Sequence, residues 1–121
     1  MNKKRVLMVD DEPGFTRLVR LTLSEYEICE ENDPRRAVAT AQSFRPDLIL
    51  LDVVMPEMDG GAVAAQIRED KSLQHVPIVF LTAIVSQTEK ADQGMIGGFQ
   101  FLAKPVTKEK LLECFHRYLA D

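Results

Sequence analysis

Five residues of this 121-residue chain have the types that could do chemistry together: Asp10, Asp11, Asp52, Thr82 and Lys104. Two carboxylates held about 4 Å apart repel by about 4 kcal/mol at an effective dielectric of about 20, so a cluster of three calls for a cation. A hard divalent ion with oxygen ligands is the natural neutraliser. Mg²⁺ suits best, with Mn²⁺ as a substitute, because it takes one or two carboxylates and keeps water positions free for a phosphate oxygen. A carboxylate oxygen of Asp52 is then a nucleophile toward a phosphoryl group, giving an acyl phosphate. Phosphoryl transfer rests on in-line positioning and neutralisation of the oxygens, which the metal and Lys104 would supply. The Thr82 hydroxyl can donate to the transferred group. Taken singly, each residue has a plain structural explanation. Asp11 and Glu12 complement a helix dipole, Asp52 sits in a turn, Thr82 favours a strand, and Lys104 is a solvated charge. The case rests on their meeting at one place.

The elements around them say where they meet. Five short apolar segments, at 5–10 (RVLMVD), 28–32 (ICEEN), 48–52 (LILLD), 78–82 (IVFLT) and 100–103 (QFLA), alternate with helical patterns. The first, third and fourth are almost continuously hydrophobic, as in strands covered by helices on both faces. The second alternates weakly and suits a sheet edge. Asp11-Glu12-Pro13 opens a first helix with a stripe of Phe15, Leu18, Val19 and Thr22. Asp33-Pro34 is an N-cap followed by proline and opens a second, which ends before Pro46. Asp59-Gly60 leads into a third, carrying Val63, Gln66 and Ile67. Ser86 with Glu89 predicts a fourth, made short and weak by Gly94, Gly97 and Gly98. Thr107 caps the last helix, whose stripe is Leu111, Leu112, Phe115, Tyr118 and Leu119.

Five β/α units predict an α/β fold, a doubly wound parallel sheet forming one domain over residues 1–121. Ligands in such sheets bind beyond the carboxyl ends of the strands. Asp10-Asp11, Asp52 and Thr82 terminate strands, and Lys104-Pro105 follows one, so all five fall on that rim.

Composition removes other classes. The net charge is −4 and the only basic run is Lys3-Lys4-Arg5, so no nucleic-acid-binding face is expected. Cys29 and Cys114 stand far apart with no CxxC, and His75 and His116 have no partner at ligand spacing, which argues against a zinc site or a disulfide framework. No apolar run spans a membrane or forms a signal peptide, and a cytoplasmic protein without membrane contact is expected.

The pieces VLMVDDEP at 6–13, PDLILLDVVMPEMDG at 46–60, PIVFLTA at 77–83 and FLAKP at 101–105 resemble the receiver domain of two-component response regulators, in the chemotaxis-regulator style. They span nearly the whole chain in the order that family requires. The resemblance implies a flavodoxin-like (βα)5 three-layer sandwich with a parallel sheet of order 2-1-3-4-5. It implies Asp52 as phosphoacceptor and Asp11 as direct Mg²⁺ ligand, with Asp10 acting largely through water. Asp52 and the backbone carbonyl of Val54 would complete the metal set. Thr82 matches the switch hydroxyl, Lys104 the phosphoryl-binding lysine and Phe101 the aromatic switch position. The Lys104–Pro105 bond is expected to be cis. Implied partners are a sensor histidine kinase or histidine phosphotransfer protein, and a downstream target or fused output domain read through the fourth helix, fifth strand and last helix.

Two features individualise the chain. Val54 and Ile84, two residues past Asp52 and Thr82, are apolar and cannot hydrogen-bond an attacking water, so slow self-dephosphorylation is expected. Gly97-Gly98-Phe99-Gln100 replaces the small and acidic residues of many relatives, and the charged pairs of winged-helix regulator dimers are not evident. Three alternatives fit less well. Haloacid dehalogenase phosphatases need a second acid where Val54 stands, a flavodoxin-like cofactor binder needs a Gly/Ser/Thr-rich loop where DDEPG stands, and a degenerate receiver would lack functional positions that are all intact here.

Overall fold

The computed structural model describes residues 3–53, 60–82, 93–96 and 99–119, with residues 93–96 and 99 as backbone only. Five strands form the parallel sheet: β1 (Arg5–Val9), β2 (Glu27–Glu31), β3 (Leu48–Asp52), β4 (Ile78–Thr82) and β6 (Phe99–Ala103). Their order is β2-β1-β3-β4-β6, the 2-1-3-4-5 order expected for the parallel strands. A further strand, β5 (Gln93–Ile96), pairs antiparallel with β6 at the edge.

β5 corrects one expectation, because Gly94 lies in a strand and not near the end of a fourth helix. Ile96 pairs with Phe99, and the residues between them in sequence are Gly97-Gly98, a dipeptide that favours two-residue hairpin connections. Gly97 and Gly98, read with Gly94 as weakening that helix, lie outside the described residues. The helix start expected at Ser86 lies outside the described residues.

Alternation along the strands divides the core into two layers. Leu7, Val9, Ile49, Leu51, Ile78, Phe80 and Phe101 pack toward α2 (Ala37–Phe44) and α3 (Gly60–Glu69). Val6, Met8, Leu48, Leu50, Val79, Leu81 and Leu102 pack toward α1 (Pro13–Thr22) and α4 (Lys108–Leu119). Every residue of β3 and β4 is buried, which explains why those segments carry no polar alternation. In α4 the expected stripe buries Leu111, Phe115 and Leu119, with Cys114 added.

The helix starts follow their local chemistry. Pro13 occupies the first turn of α1, and Asp33 accepts from the Arg35 N–H to open a short 3₁₀ turn, Pro34–Arg36, ahead of α2. The Thr107 hydroxyl accepts from the Lys110 N–H at 3.1 Å, capping α4. In α1 the stripe differs from expectation. Leu18 is 63% exposed, whereas Thr16 is buried and bonds the Pro13 carbonyl and Glu30. A buried hydroxyl bonded to a carbonyl one turn back and to Glu30 of β2 escapes a pattern that counts only apolar side chains.

Candidate functional site

Strand register brings the chemical residues together. β1 and β3 pair with Val9 opposite Leu51, so Asp10 and Asp52 leave the sheet side by side. Asp52 pairs with Leu81 on its other flank, which sets Thr82 one residue beyond it. Thr82 pairs with Ala103, and the Lys104 N–H donates to the Thr82 carbonyl at 2.8 Å. Three parallel pairings therefore deliver two carboxylates, a hydroxyl and an ammonium to one rim.

Asp10, Asp11 and Asp52 each offer a carboxylate oxygen within 4.8 Å of the others. Asp10 is fully buried, Asp52 nearly so, and Asp11 half-buried. The two oxygens of Asp10 are both engaged: Oδ1 accepts from the Glu12 N–H at 3.0 Å and Oδ2 from Lys104 Nζ at 2.7 Å. Lys104 Nζ also donates to Glu12 Oε1 at 3.0 Å and stands 3.5 Å from Asp52 Oδ2. It lies 5.1 Å from the centroid of the Phe15 ring.

The electrostatics follow from this crowding. Burial raises the Asp10 carboxyl above its ordinary value, opposed by the bonds from Lys104 and the Glu12 N–H. Burial works to lower the Lys104 ammonium, but bonds to Asp10 and Glu12 and the charges of Asp10 and Asp52 outweigh it and hold it above the ordinary lysine value. The two directions have different causes: burial disfavours the charged Asp10 carboxylate, whereas the surrounding carboxylates favour the charged Lys104 ammonium. Three hard oxygen donors converging on one point, one of them half-exposed, fit a small divalent cation.

Supporting contacts fix the frame. The Asp10 N–H donates to the Glu31 carbonyl, and Asn32 Nδ2 donates to the Asp10 carbonyl at 2.7 Å and to Thr16 Oγ1 at 3.1 Å. Thr16 in turn holds Glu30, which is paired with Arg20. Gly60 opens α3 directly against the Asp52 backbone: a Cβ there would lie 2.3 Å from the Asp52 carbonyl oxygen. Sequence reasoning missed Glu12, Asn32 and Gly60 as contacts of the site. Glu12 adjoins the acidic pair and Gly60 belongs to the DG turn, but nothing in sequence spacing reveals the other ends of their contacts.

Thr82 is 1% exposed at the end of β4. Phe101 is buried in the layer facing α2 and α3, so it belongs to the core beneath the rim and not to the acidic cluster. The Lys104–Pro105 peptide is cis. Val54 and Ile84 lie outside the described residues.

Residues 6–116 match the profile of the response regulator receiver domain. The chain belongs to that family. Among solved structures, the chemotaxis protein CheY4 of Vibrio cholerae is 34% identical over 98% of this chain and 100% of its own, with a TM-score of 0.83. The polar-differentiation response regulator DivK of Brucella anthropi is 29% identical over 98% of both chains. The response regulator PleD of Caulobacter vibrioides is 38% identical over 84% of this chain and 23% of its own. The chain thus spans under half the length of several curated relatives and nearly all of DivK. As a receiver domain it is a phosphorylation switch of two-component signalling, and its family is not one of classical enzymes. Among the described residues no helix is long and apolar enough to cross a membrane.

Proposed function

We propose that Asp52 is the phosphoacceptor of this receiver, with Mg²⁺ held by Asp10, Asp11, Asp52 and the Val54 carbonyl. The observation that carries the reading is the meeting, on one strand rim, of three carboxylate oxygens within 4.8 Å and a lysine ammonium 3.5 Å from Asp52. A carboxylate oxygen of Asp52 attacks phosphorus, and the bond from phosphorus to the donor breaks. When the donor is a phosphohistidine, the departing imidazole nitrogen keeps the electron pair, and the ring leaves neutral because its other nitrogen carries a proton or the departing one takes a proton from water. Bound Mg²⁺ supplies positive charge to the phosphoryl oxygens and relieves the carboxylate repulsion. Lys104, 3.5 Å from Asp52 Oδ2, supplies a second positive charge, and Thr82 donates its hydroxyl. Phe101 and the rim around Thr82 then favour a second conformation, because the phosphoryl group binds one state better than the other.

The donor is a sensor histidine kinase or histidine phosphotransfer protein in the cytoplasm. The reader is a downstream target or fused output domain that contacts β6, α4 and the segment before β5. No direct nucleic-acid contact is assigned to this domain. Residues 1–121 act as one unit. Apolar Val54 and Ile84 leave an attacking water unaided, so the phosphorylated state lasts minutes to hours, and a half-life of seconds in Mg²⁺ buffer contradicts that.

The test is intact-mass analysis after incubation with acetyl phosphate. One Mg²⁺-dependent phosphoryl adduct is expected, absent in Asp52→Asn and after chelation. An adduct that persists in Asp52→Asn, or none at all, overturns the assignment.

A further inference from the structure

β1 ends at Val9, so the carbonyl of the Asp10–Asp11 peptide is the second one past the last strand residue's own. A side chain meets it: Asn32, the first residue past β2, donates an amide N–H to the Asp10 carbonyl at 2.7 Å. The Asp10 N–H is held from the same strand by the Glu31 carbonyl at 3.1 Å. Asp10 is thus tied to the end of β2 at both of its backbone polar groups. Asp11, whose half-buried carboxylate completes the acidic cluster, leaves the chain from the peptide that Asn32 grips.

The neighbours of the Asn32 amide decide which way it faces. Its second N–H goes to Thr16 Oγ1 at 3.1 Å. Thr16 has one hydrogen to give, and its other two partners, Glu30 Oε1 at 2.8 Å and the Pro13 carbonyl at 3.2 Å, can only accept. What Thr16 offers Asn32 is therefore a lone pair, and the amide must turn its nitrogen toward Thr16 and Asp10. Arg20 holds the Glu30 carboxylate from the other side. The chain of bonds runs from an ion pair at the surface to the backbone of the acidic loop.

We propose that Asn32 is a positioning residue of the metal site: through the Asp10 carbonyl it locks the Asp10–Asp11 peptide in the orientation that brings Asp11 to the same point as Asp10 and Asp52. Mg²⁺ demands near-ideal octahedral geometry, so a small drift of one ligand weakens the whole set. Thr16 and Glu30 act at one remove, by orienting the amide. Asn32 has this role only if the three aspartates are the metal site.

Two substitutions test it. Asn32→Leu keeps the bulk and removes both N–H donors. Asn32→Asp keeps the shape, sets a carboxylate against the Asp10 carbonyl and, by its charge alone, would tighten cation binding. Mn²⁺ is the probe, followed by the electron paramagnetic resonance signal of the free ion. Both substitutions should weaken Mn²⁺ binding by about tenfold, the low end of the range for partners that orient metal ligands. In metal-free protein the Glu12 N–H, which donates to Asp10 Oδ1 at 3.0 Å, should exchange with solvent about five- to tenfold faster by NMR, while the β1 amides stay protected. A general loss of stability would instead speed β1 in step and leave the affinity of the folded protein unchanged. Thr16→Val should weaken binding by about two- to threefold, and add nothing in an Asn32→Leu background. Should Asn32→Leu fail to fold, Asn32→Asp decides by sign. Mn²⁺ binding that is unchanged or tighter in either variant, or Glu12 exchange that rises only with that of β1, overturns the role of Asn32. Wild-type protein that takes up no Mn²⁺ overturns the metal-site reading itself, whereas normal wild-type uptake matched by both variants removes the role of Asn32 alone.

Discussion

Replacing Asp52 by asparagine should make the metal-free domain more stable, although it removes the proposed phosphoacceptor. At the 4.8 Å limit of the carboxylate cluster, each repulsion between Asp52 and its neighbours Asp10 and Asp11 is about 3.5 kcal/mol at an effective dielectric of about 20. The attraction to Lys104 at 3.5 Å is about 4.7 kcal/mol on the same scale. Two repulsions thus exceed one attraction by about 2 kcal/mol, and water around the half-exposed Asp11 reduces the difference to about 1–2 kcal/mol. Asparagine keeps the shape and hydrogen-bonding capacity of the site while removing the charge. The expected gain in melting temperature in chelator is about 4–8 °C for a domain of this size. Mg²⁺ should reverse the order. At a hundredfold above its dissociation constant it stabilises the wild type by about 2.7 kcal/mol, and it should do little for a site missing one of its carboxylates. Differential scanning calorimetry of both proteins, in chelator and in Mg²⁺, measures all four values. If Asp52→Asn is no more stable than wild type in chelator, or if Mg²⁺ lifts both equally, the picture of repelling carboxylates awaiting a cation is wrong.

Three other outcomes are expected. Gly60→Ala sets a Cβ 2.3 Å from the Asp52 carbonyl and 2.9 Å from the Val53 Cα, both rigid backbone atoms; urea unfolding should show a loss of about 1–3 kcal/mol, and a neutral result would mean that α3 is free to retreat. The Lys104 ammonium sits above the ordinary value of 10.5 because of its carboxylate partners. Its contribution to stability is therefore complete below pH 10.5 and is lost as pH rises through the higher folded-state value. Urea midpoints from pH 9 to 11.5 should fall more steeply for wild type than for Lys104→Met, and parallel curves would deny the ion pair. Burial pushes the Cys114 thiol up to about 11, so iodoacetamide at pH 8 should leave it unmodified in the folded protein and label it in urea; rapid labelling of Cys114 in native protein, read by peptide mass apart from the half-buried Cys29, would contradict its place in the core.

The parallel strands were legible because LILLD and IVFLT must be buried on both faces, and the acidic cluster was legible because each member ends or follows a strand. The register found in the structure then settles the neighbours: Val9 opposite Leu51 sets Asp10 beside Asp52. The rest hid in long-range side-chain pairing. Glu12 looked like a dipole-complementing residue because helix-start chemistry is local, whereas its partner Lys104 arrives from the far end of the chain. Thr16 and Asn32 looked unremarkable because their hydroxyl and amide serve one another and the Asp10 carbonyl across α1 and β2. Leu18 was counted as core because helical periodicity does not say which edge of a stripe meets the sheet. Gly94 was read as weakening a helix because glycine is a poor helix former, whereas in the structure it lies in β5 opposite Phe101.

The most direct test of the central claim is to locate the phosphoryl group itself. Borohydride reduces an acyl phosphate at aspartate to homoserine, a permanent mark that peptide mass spectrometry can place. After acetyl phosphate and Mg²⁺, homoserine at position 52 alone is predicted. Homoserine at position 10 or 11, or none anywhere in a protein carrying the phosphoryl mass, would contradict the assignment of Asp52.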